Sequence, residues 1–334
     1  MKVRLAHVTG LLLGFCLAVS PLIAEEKKEK KEAPKEAAEE VKGENDVYVG
    51  VYIDQIYDLS LRENRFVVDF WIWFRWKNDA YNPLETFEVI DSRSTSKEHE
   101  MKDPEKKNGF NYAQARVTAT ITKFFDVRNF PLDNHTLDIK IEDSKYEDKI
   151  IKFLPDTENS SVGADVRVNG WNLSKGRATA EPHVYETNYG DPTASKTSTY
   201  SRFKYSADLT RPGWGGFIKL YFALFISVVV ALLQFRINPE EIIARLTLGV
   251  GAVIGVMTSQ FVIVSTLPDT DQLNMADKFH MLGIFFIFIT LAESVWVKHL
   301  SEHEHEHQAK GIDGMFFYGG LVVYVVVNAL IVAF

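Results

Sequence analysis

Four apolar runs between residues 217 and 334 constrain this chain more than any other feature, because each is long enough to cross a bilayer. A hydrocarbon core of about 30 Å takes about 20 helical residues, and inside it every backbone polar group must be satisfied within the segment. The first run, 217–235, is broken only by Lys219 and Gln234 near its ends; the second, 242–267, carries Arg245, Thr247, Thr258, Ser259 and Gln260; the third, 279–297, holds Glu293; the fourth runs from 315 to 334. We expect helices at about 214–236, 242–267, 277–299 and 315–334. An even number of crossings returns the C-terminus to the side of the N-terminus, and Arg236 and Arg245 in the first short loop put that loop inside. The expected location is the cell membrane, with both termini on the outer side.

Residues 1–24 begin with Lys2 and Arg4, continue through an apolar stretch at 11–19 and end in small residues before Glu25. That is the layout of a secretory signal peptide cut near Ala24, with an N-terminal anchor as the alternative. The single cysteine, Cys16, lies inside it, so the mature chain has no disulfide or thiol chemistry. Residues 25–46 form a Lys/Glu/Ala tract with too few apolar side chains to offset ordering, and read as a charged, disordered tether.

From residue 47 the pattern changes to short β-branched and aromatic stretches separated by turn residues. Strands are expected at 47–58 and 65–76, joined as a hairpin, then at 113–123, 136–141, 149–154, 165–173, 178–185 and 200–210. No ten-residue helical periodicity interrupts them, which excludes an α/β enzyme core. The expected fold is an immunoglobulin-like all-β sandwich over 47–211, followed by a four-helix membrane domain over 212–334.

The second apolar run is the least greasy. A 4-3-4-3-4 spacing selects Thr247, Gly251, Ile254, Thr258, Phe261 and Ser265 on one helical face. Copies of this helix around an axis present small and hydroxylic residues to a lumen, with Ile254 and Phe261 as apolar constrictions that gate by dewetting. Small residues on a membrane helix equally serve close helix packing.

Motifs in a fixed order resemble the Cys-loop receptor superfamily of pentameric ligand-gated ion channels. The most specific is 123–137, KFFDVRNFPLDNHTL, similar to the family's signature loop, with its core at Phe130, Pro131, Leu132 and Asp133. Lys123 and Leu137 stand where the bridging cysteines fall, a loss that resembles the prokaryotic branch. Trp76 matches the family's structural tryptophan, Arg211 the arginine before the first membrane helix, FRINPEEIIARLTLG (235–249) the linker into the pore helix, and Leu267–Pro268 the pair that closes it. The resemblance covers nearly all of the mature chain and implies a homopentamer, embedded in lipid, with a central pore.

The resemblance also implies site residues. At the inner mouth stand Glu240, Glu241, Ile243, Ala244 and Arg245; without a carboxylate directly before Arg245 the pattern leans towards anions, while Glu240 and Glu241 one turn earlier favour cations. The agonist site of the family, between subunits, maps to Trp71, Trp73, Arg116, Glu142, Tyr146 and Tyr200, which suit an amine through ring faces and the Glu142 carboxylate. Core packing is the competing role for each of these aromatics. Coupling between domains maps to Phe130, Pro131, Asp133, Arg211 and Pro268, with Asp133 expected to meet Arg211. Protons and Ca²⁺ are candidate modulators. The histidines at 299, 303, 305 and 307 read as a solvated loop without bound metal. No cofactor-binding, catalytic or nucleic-acid motif appears. A non-conducting membrane receptor is the competing function, an exported enzyme on a membrane stalk a distant third.

Overall fold

The computed structural model describes residues 45–101, 103–190, 192, 196–303 and 306–333. The expected signal peptide and nearly all of the tether lie outside these residues. The tether's last two positions do not: Asn45 and Asp46 open the first strand, aligned with Ile151 and Lys152.

Strand β1 (Asn45–Ser60) pairs antiparallel with β2 (Arg65–Trp76), which pairs with β6 (Phe110–Thr122); β4 (Ser92–Glu98) and β5 (Glu105–Lys107) extend the far edge. On the other side β8 (Ile151–Pro155) and β9 (Ser161–Val162) run parallel to β1. The second sheet has the order β10 (Asn172–Leu173), β12 (Ser198–Thr210), β7 (His135–Asp143), β3 (Phe87–Val89), with β11 (Arg177–Tyr185) also on β12. A one-turn helix, α1 (Pro83–Thr86), precedes β3 and is capped by the Asn82 side chain.

Period-two alternation builds the core. Phe66, Val68, Phe70, Ile72, Phe74 and Trp76 of β2 point inward, and their neighbours on β6 are mostly small. Ala113 lies beside Phe74 and Ala115 beside Ile72, so large and small side chains interdigitate. Leu137, Ile139 and Ile141 of β7 and Phe203, Tyr205 and Leu209 of β12 supply the inner face of the other sheet.

Two sequence expectations need correction here. The stretch expected as a strand over 165–173 forms strand only at β10, preceded by an isolated bridge between Val168 and Trp171. Strands β3, β4 and β5 were not expected; the polar run SRSTSKE of β4 has no apolar alternation because it lies exposed at the sheet edge.

Four helices follow, each long and apolar enough to cross a membrane. Helix α2 (Gly215–Leu233) ends in a 3₁₀ turn, Gln234–Arg236; then come α3 (Ile242–Val264), α4 (Met275–Glu302) and α5 (Glu306–Ala333). Asn274 and Asp277 form a reciprocal capping box at the start of α4. The fourth helix begins nine residues before the expected position 315, since the polar stretch leading into the apolar run is itself helical. The connector expected over 298–314 therefore shrinks to a corner after α4, and His299, His303 and His307 belong to helix ends; His305 lies outside the described residues.

The buried side of α3 is a single stripe, Arg245, Gly249, Ala252, Val256, Ser259 and Ile263. Gly249 lies against Leu291 and Gly255 against Ser227, where a Cβ would collide, so these two glycines set how closely α4 and α2 approach.

Trp76 is 1% exposed and its indole N–H donates to the carbonyls of Asn78 (2.9 Å) and Tyr81 (2.6 Å), which fixes the turn after β2. Trp76→Phe is expected to destabilise the β-domain by about 1–3 kcal/mol, the penalty of leaving buried carbonyls unpaired. Chemical denaturation followed by fluorescence checks this; an unchanged midpoint would show that the turn does not depend on the indole.

Candidate functional site

The residues expected to bind an agonist fall into two groups on different sheets. Trp71 and Trp73 on β2 and Arg116 on β6 share the first sheet, and Trp71 lies beside Arg116 in register. Trp71 is half-buried and stacks on His99 with ring centroids 6.1 Å apart. Trp73 lies flat over Gly50, its partner on β1, and its indole N–H donates to Asp156 at 3.0 Å. That hydrogen bond gives Trp73 a packing role within the protomer. Arg116 is held by Asp69 through two nitrogens and by Asp54 at 2.9 Å.

Glu142, Tyr146 and Tyr200 belong to the second sheet and its loops. Glu142, at 1% exposure, is not the free carboxylate expected of an amine partner. Arg202 Nε donates to one oxygen at 2.5 Å and the Tyr185 hydroxyl to the other at 2.9 Å, so both oxygens are taken. The β7–β12 register brings Glu142 and Arg202 together from 60 positions apart. Burial, with the hydrogen bond to Glu142, pushes the Tyr185 hydroxyl up to about 12. Burial and the neighbouring Glu142 and Asp143 also raise the Glu88 carboxyl above its usual range.

Around this pair stand ring faces. Tyr185 contacts Tyr200 at 5.9 Å, Tyr189 at 6.0 Å and His183 at 4.7 Å, and Tyr146 packs edge-on against Tyr81 at 5.7 Å. Tyr189, the most exposed, sits in the turn that caps the cluster. Arg202, Tyr185 and Tyr189 were not among the expected site residues; the only signal for Tyr185 and Tyr189 was the aromatic flank of the polar loop before Tyr200.

Where the β-domain meets the helices, Arg211 Nε donates to Asp133 Oδ1 at 3.2 Å, and His135 Nε2 lies 2.6 Å from Asp133 Oδ2. The Arg211 guanidinium lies 3.7 Å from the Trp171 ring centroid and 5.3 Å from that of Phe130. Asp133 is 4% exposed. Burial alone raises its carboxyl, but the His135 hydrogen bond and the Arg211 charge outweigh burial and hold it below the usual range. Phe130 and Pro131, joined by a cis peptide, are buried beside this cage; Pro268, near the start of the α3–α4 linker, is also buried. Two further contacts cross the junction: Arg62 in the β1–β2 turn donates to the Ser265 carbonyl at 2.9 Å, and the Met275 amide donates to the Arg128 carbonyl at 2.9 Å. Arg62, His135 and Trp171 have no periodic signal; only the fold brings them to this junction.

On α3, Thr247, Gly251, Ile254, Thr258, Phe261 and Ser265 are all exposed, Ile254 at 60% and Phe261 at 75%. Thr247 and Thr258 return their hydroxyl protons to carbonyls one turn back, leaving the oxygens outward. At the inner end Glu240 and Glu241 are exposed and Ile243 is 80% exposed. Arg245, expected at the mouth, is not: it is fully buried, turned into the bundle and paired with Asp313 of α5.

No family model matches the chain. Among curated proteins it is similar to gamma-aminobutyric acid receptor subunit rho-2 of Rattus norvegicus, 21% identical over 197 residues. It is also similar to subunits rho-1 and rho-3 of Homo sapiens, each 22% identical, over 197 and 195 residues. The matches cover 58% of this chain and about two fifths of the length of those relatives (39% for rho-1 and 40% for the other two). The sheet-rich domain followed by four membrane-capable helices agrees with the receptor-channel resemblance of the sequence.

The depressed Asp133 carboxyl yields a signed pH effect. Its contribution to stability is complete above about pH 4, the unfolded value, and is lost as pH falls through the lower folded value. Asp133→Asn is expected to abolish that acid-dependent component and to cost about 1.5–3 kcal/mol by removing the charged acceptor shared by Arg211 and His135. Denaturation midpoints of both proteins between pH 3 and 7 check this; parallel profiles would contradict it.

Proposed function

We propose that the chain is a subunit of a ligand-gated ion channel that assembles as a homopentamer with α3 lining the pore. The observation that carries this reading is the outward face of α3. Six positions along five turns are exposed together, four of them small or hydroxylic, on a helix whose opposite stripe packs into its own bundle. Facing lipid, such a face gains nothing over leucine; facing water in an assembly, its hydroxyls and glycine line a lumen. Rings of Ile254 and Phe261 are the apolar constrictions. The similarity to receptor subunits supports a receptor with a small-molecule agonist in the membrane; four crossings, with Arg236 in the first short loop, favour both termini on the outer side.

For the agonist we infer a small amine, held between the Tyr185–Tyr200–Tyr189 cluster of one subunit and the Trp71–Arg116 strand face of the next. The relatives are named for gamma-aminobutyric acid, which carries a carboxylate as well as an amine. Here both guanidiniums near the site, Arg116 and Arg202, are already committed to carboxylates. A ligand carboxylate thus lacks a cation to meet, and an amine without one fits better. Ring faces provide about 0.5–2 kcal/mol each towards such a cation.

Next to the first turn of α3 the exposed charges are the carboxylates of Glu240 and Glu241, because Arg245 is neutralised inside the bundle and the exposed Arg236 turns onto Phe317 and Tyr318 of α5. This favours cations. The anion reading retains one observation: Ile243 and Ala244, at the first turn of α3, carry no charge.

Reversal potentials in liposomes or oocytes test the reading, with short primary alkylamines and pH steps as stimuli. A current that follows the cation gradient is expected, and Glu240→Gln with Glu241→Gln is expected to shift it towards the chloride potential. A current at the chloride potential in the unaltered protein would overturn the cation assignment and leave the channel. Amine binding without current would instead make the chain a non-conducting receptor.

A further inference from the structure

The two ends of α3 are held by different parts of the molecule. At the outer end, the Ser265 carbonyl accepts from Arg62 of the β-domain. At the inner end, Arg245 Nη1 and Nη2 donate to Asp313 Oδ1 and Oδ2 at 2.8 and 2.6 Å, and Nε donates to the Ile237 carbonyl at 3.0 Å. The planar fork matches both carboxylate oxygens, a geometry that fixes orientation as well as charge. Arg245 has no exposed surface. Among the described residues these are the only hydrogen bonds between α3 and α5.

Helix α5 is otherwise loosely docked. Its buried side chains are Ala309, Asp313, Tyr324 and Asn328; Tyr324 packs on Phe286 of α4 with centroids 5.0 Å apart. One more carboxyl faces the pair: Glu293 of α4 interacts with both Asp313 and Arg245, and its two oxygens are buried. Gln234, fully buried, has its amide unpartnered among the described residues on the same inner end, against Gly249.

We propose that Asp313 is a positioning residue for the conduction path. By holding Arg245, it sets where the inner end of α3, with Ile243 and Thr247, stands relative to the pore axis. The proposal rests on the reading of α3 as a pore wall. Its physical basis is that a buried guanidinium cannot be left without a counter-charge. If Asp313 loses its charge, Arg245 turns to the nearest remaining carboxylate, Glu293 on a different helix, and the first turn of α3 follows it. If Glu293 is also neutral, the guanidinium must leave the bundle interior and the inner end of α3 is released. The outer end, tied to the β-domain, does not move.

The test uses full-length protein in nanodiscs on a Cys16→Ser background, spin-labelled at Ile243→Cys (inner end) or at Ser265→Cys (outer end). Distances between subunits are read by pulsed dipolar spectroscopy. Glu293→Gln alone keeps Asp313 on Arg245 and is expected to leave both distances as in the parent. Adding Asp313→Asn is expected to shift or broaden the inner distance by about 2 Å or more, the scale of helix shifts at subunit interfaces, with the outer distance unchanged. Glu293→Gln with Asp313→Glu, which restores a carboxylate, is expected to bring the inner distance back. An inner distance unchanged in Glu293→Gln/Asp313→Asn, or an equal shift at both ends, overturns the positioning role and leaves the pore reading standing. No dipolar signal between subunits in the parent overturns the pore reading and the proposal with it.

Discussion

The buried carboxylate of Asp133 is the interaction on which the rest of the molecule depends. It sits in the loop between the two sheets and accepts from His135 on one oxygen and from Arg211, just ahead of the first membrane helix, on the other. Trp171, just ahead of β10, closes over the guanidinium. A charge so deeply buried is tolerable only while paired, so the pair fixes the entry of the chain into α2. Around it, Arg62 reaches the end of α3 and Arg128 the start of α4. The sandwich therefore touches the ends of three of the four membrane helices at one junction.

The membrane half answers a second constraint. Each helix satisfies its own backbone, so what distinguishes one from another is the side-chain stripe it buries. Helix α3 buries a narrow stripe anchored by Arg245 and leaves its hydroxyl and glycine face uncovered. Helices α2 and α4 bury their stripes against it, whereas α5 packs on α4 and the 3₁₀ turn and leaves most of its own surface uncovered. That division of labour is what the proposed assembly of several copies rests on.

Much of this was legible in the sequence, and the failures have identifiable causes. Strand β6 alternates cleanly and β7 for most of its length, while β1, β2 and β12 are rich in apolar and aromatic residues with partial alternation, so a strand pattern finds them; β4 and β5 show none, because nothing at the sheet edge demands apolar residues. Run length found α2 and α3 to within a few residues. It misplaced the start of α5, because a polar first turn outside the lipid looks like a connector, and with it Asp313 read as a loop residue. The burial of Arg245 was invisible for that reason. Glu142 looked free because its partner Arg202 is assigned by strand register rather than by any local pattern. Resemblance to a receptor family named candidate site regions; the geometry shows which charges there are already paired.

The central claim is that copies of this chain close around an axis with the exposed face of α3 inward. The mass of the intact assembly in detergent, measured by native mass spectrometry, tests it most directly. The account predicts five chains, dissociating only as the detergent is made harsher. A monomer under the mildest conditions that keep the β-domain folded would contradict it, because the hydroxyl and glycine face of α3 would then meet lipid and no lumen would exist.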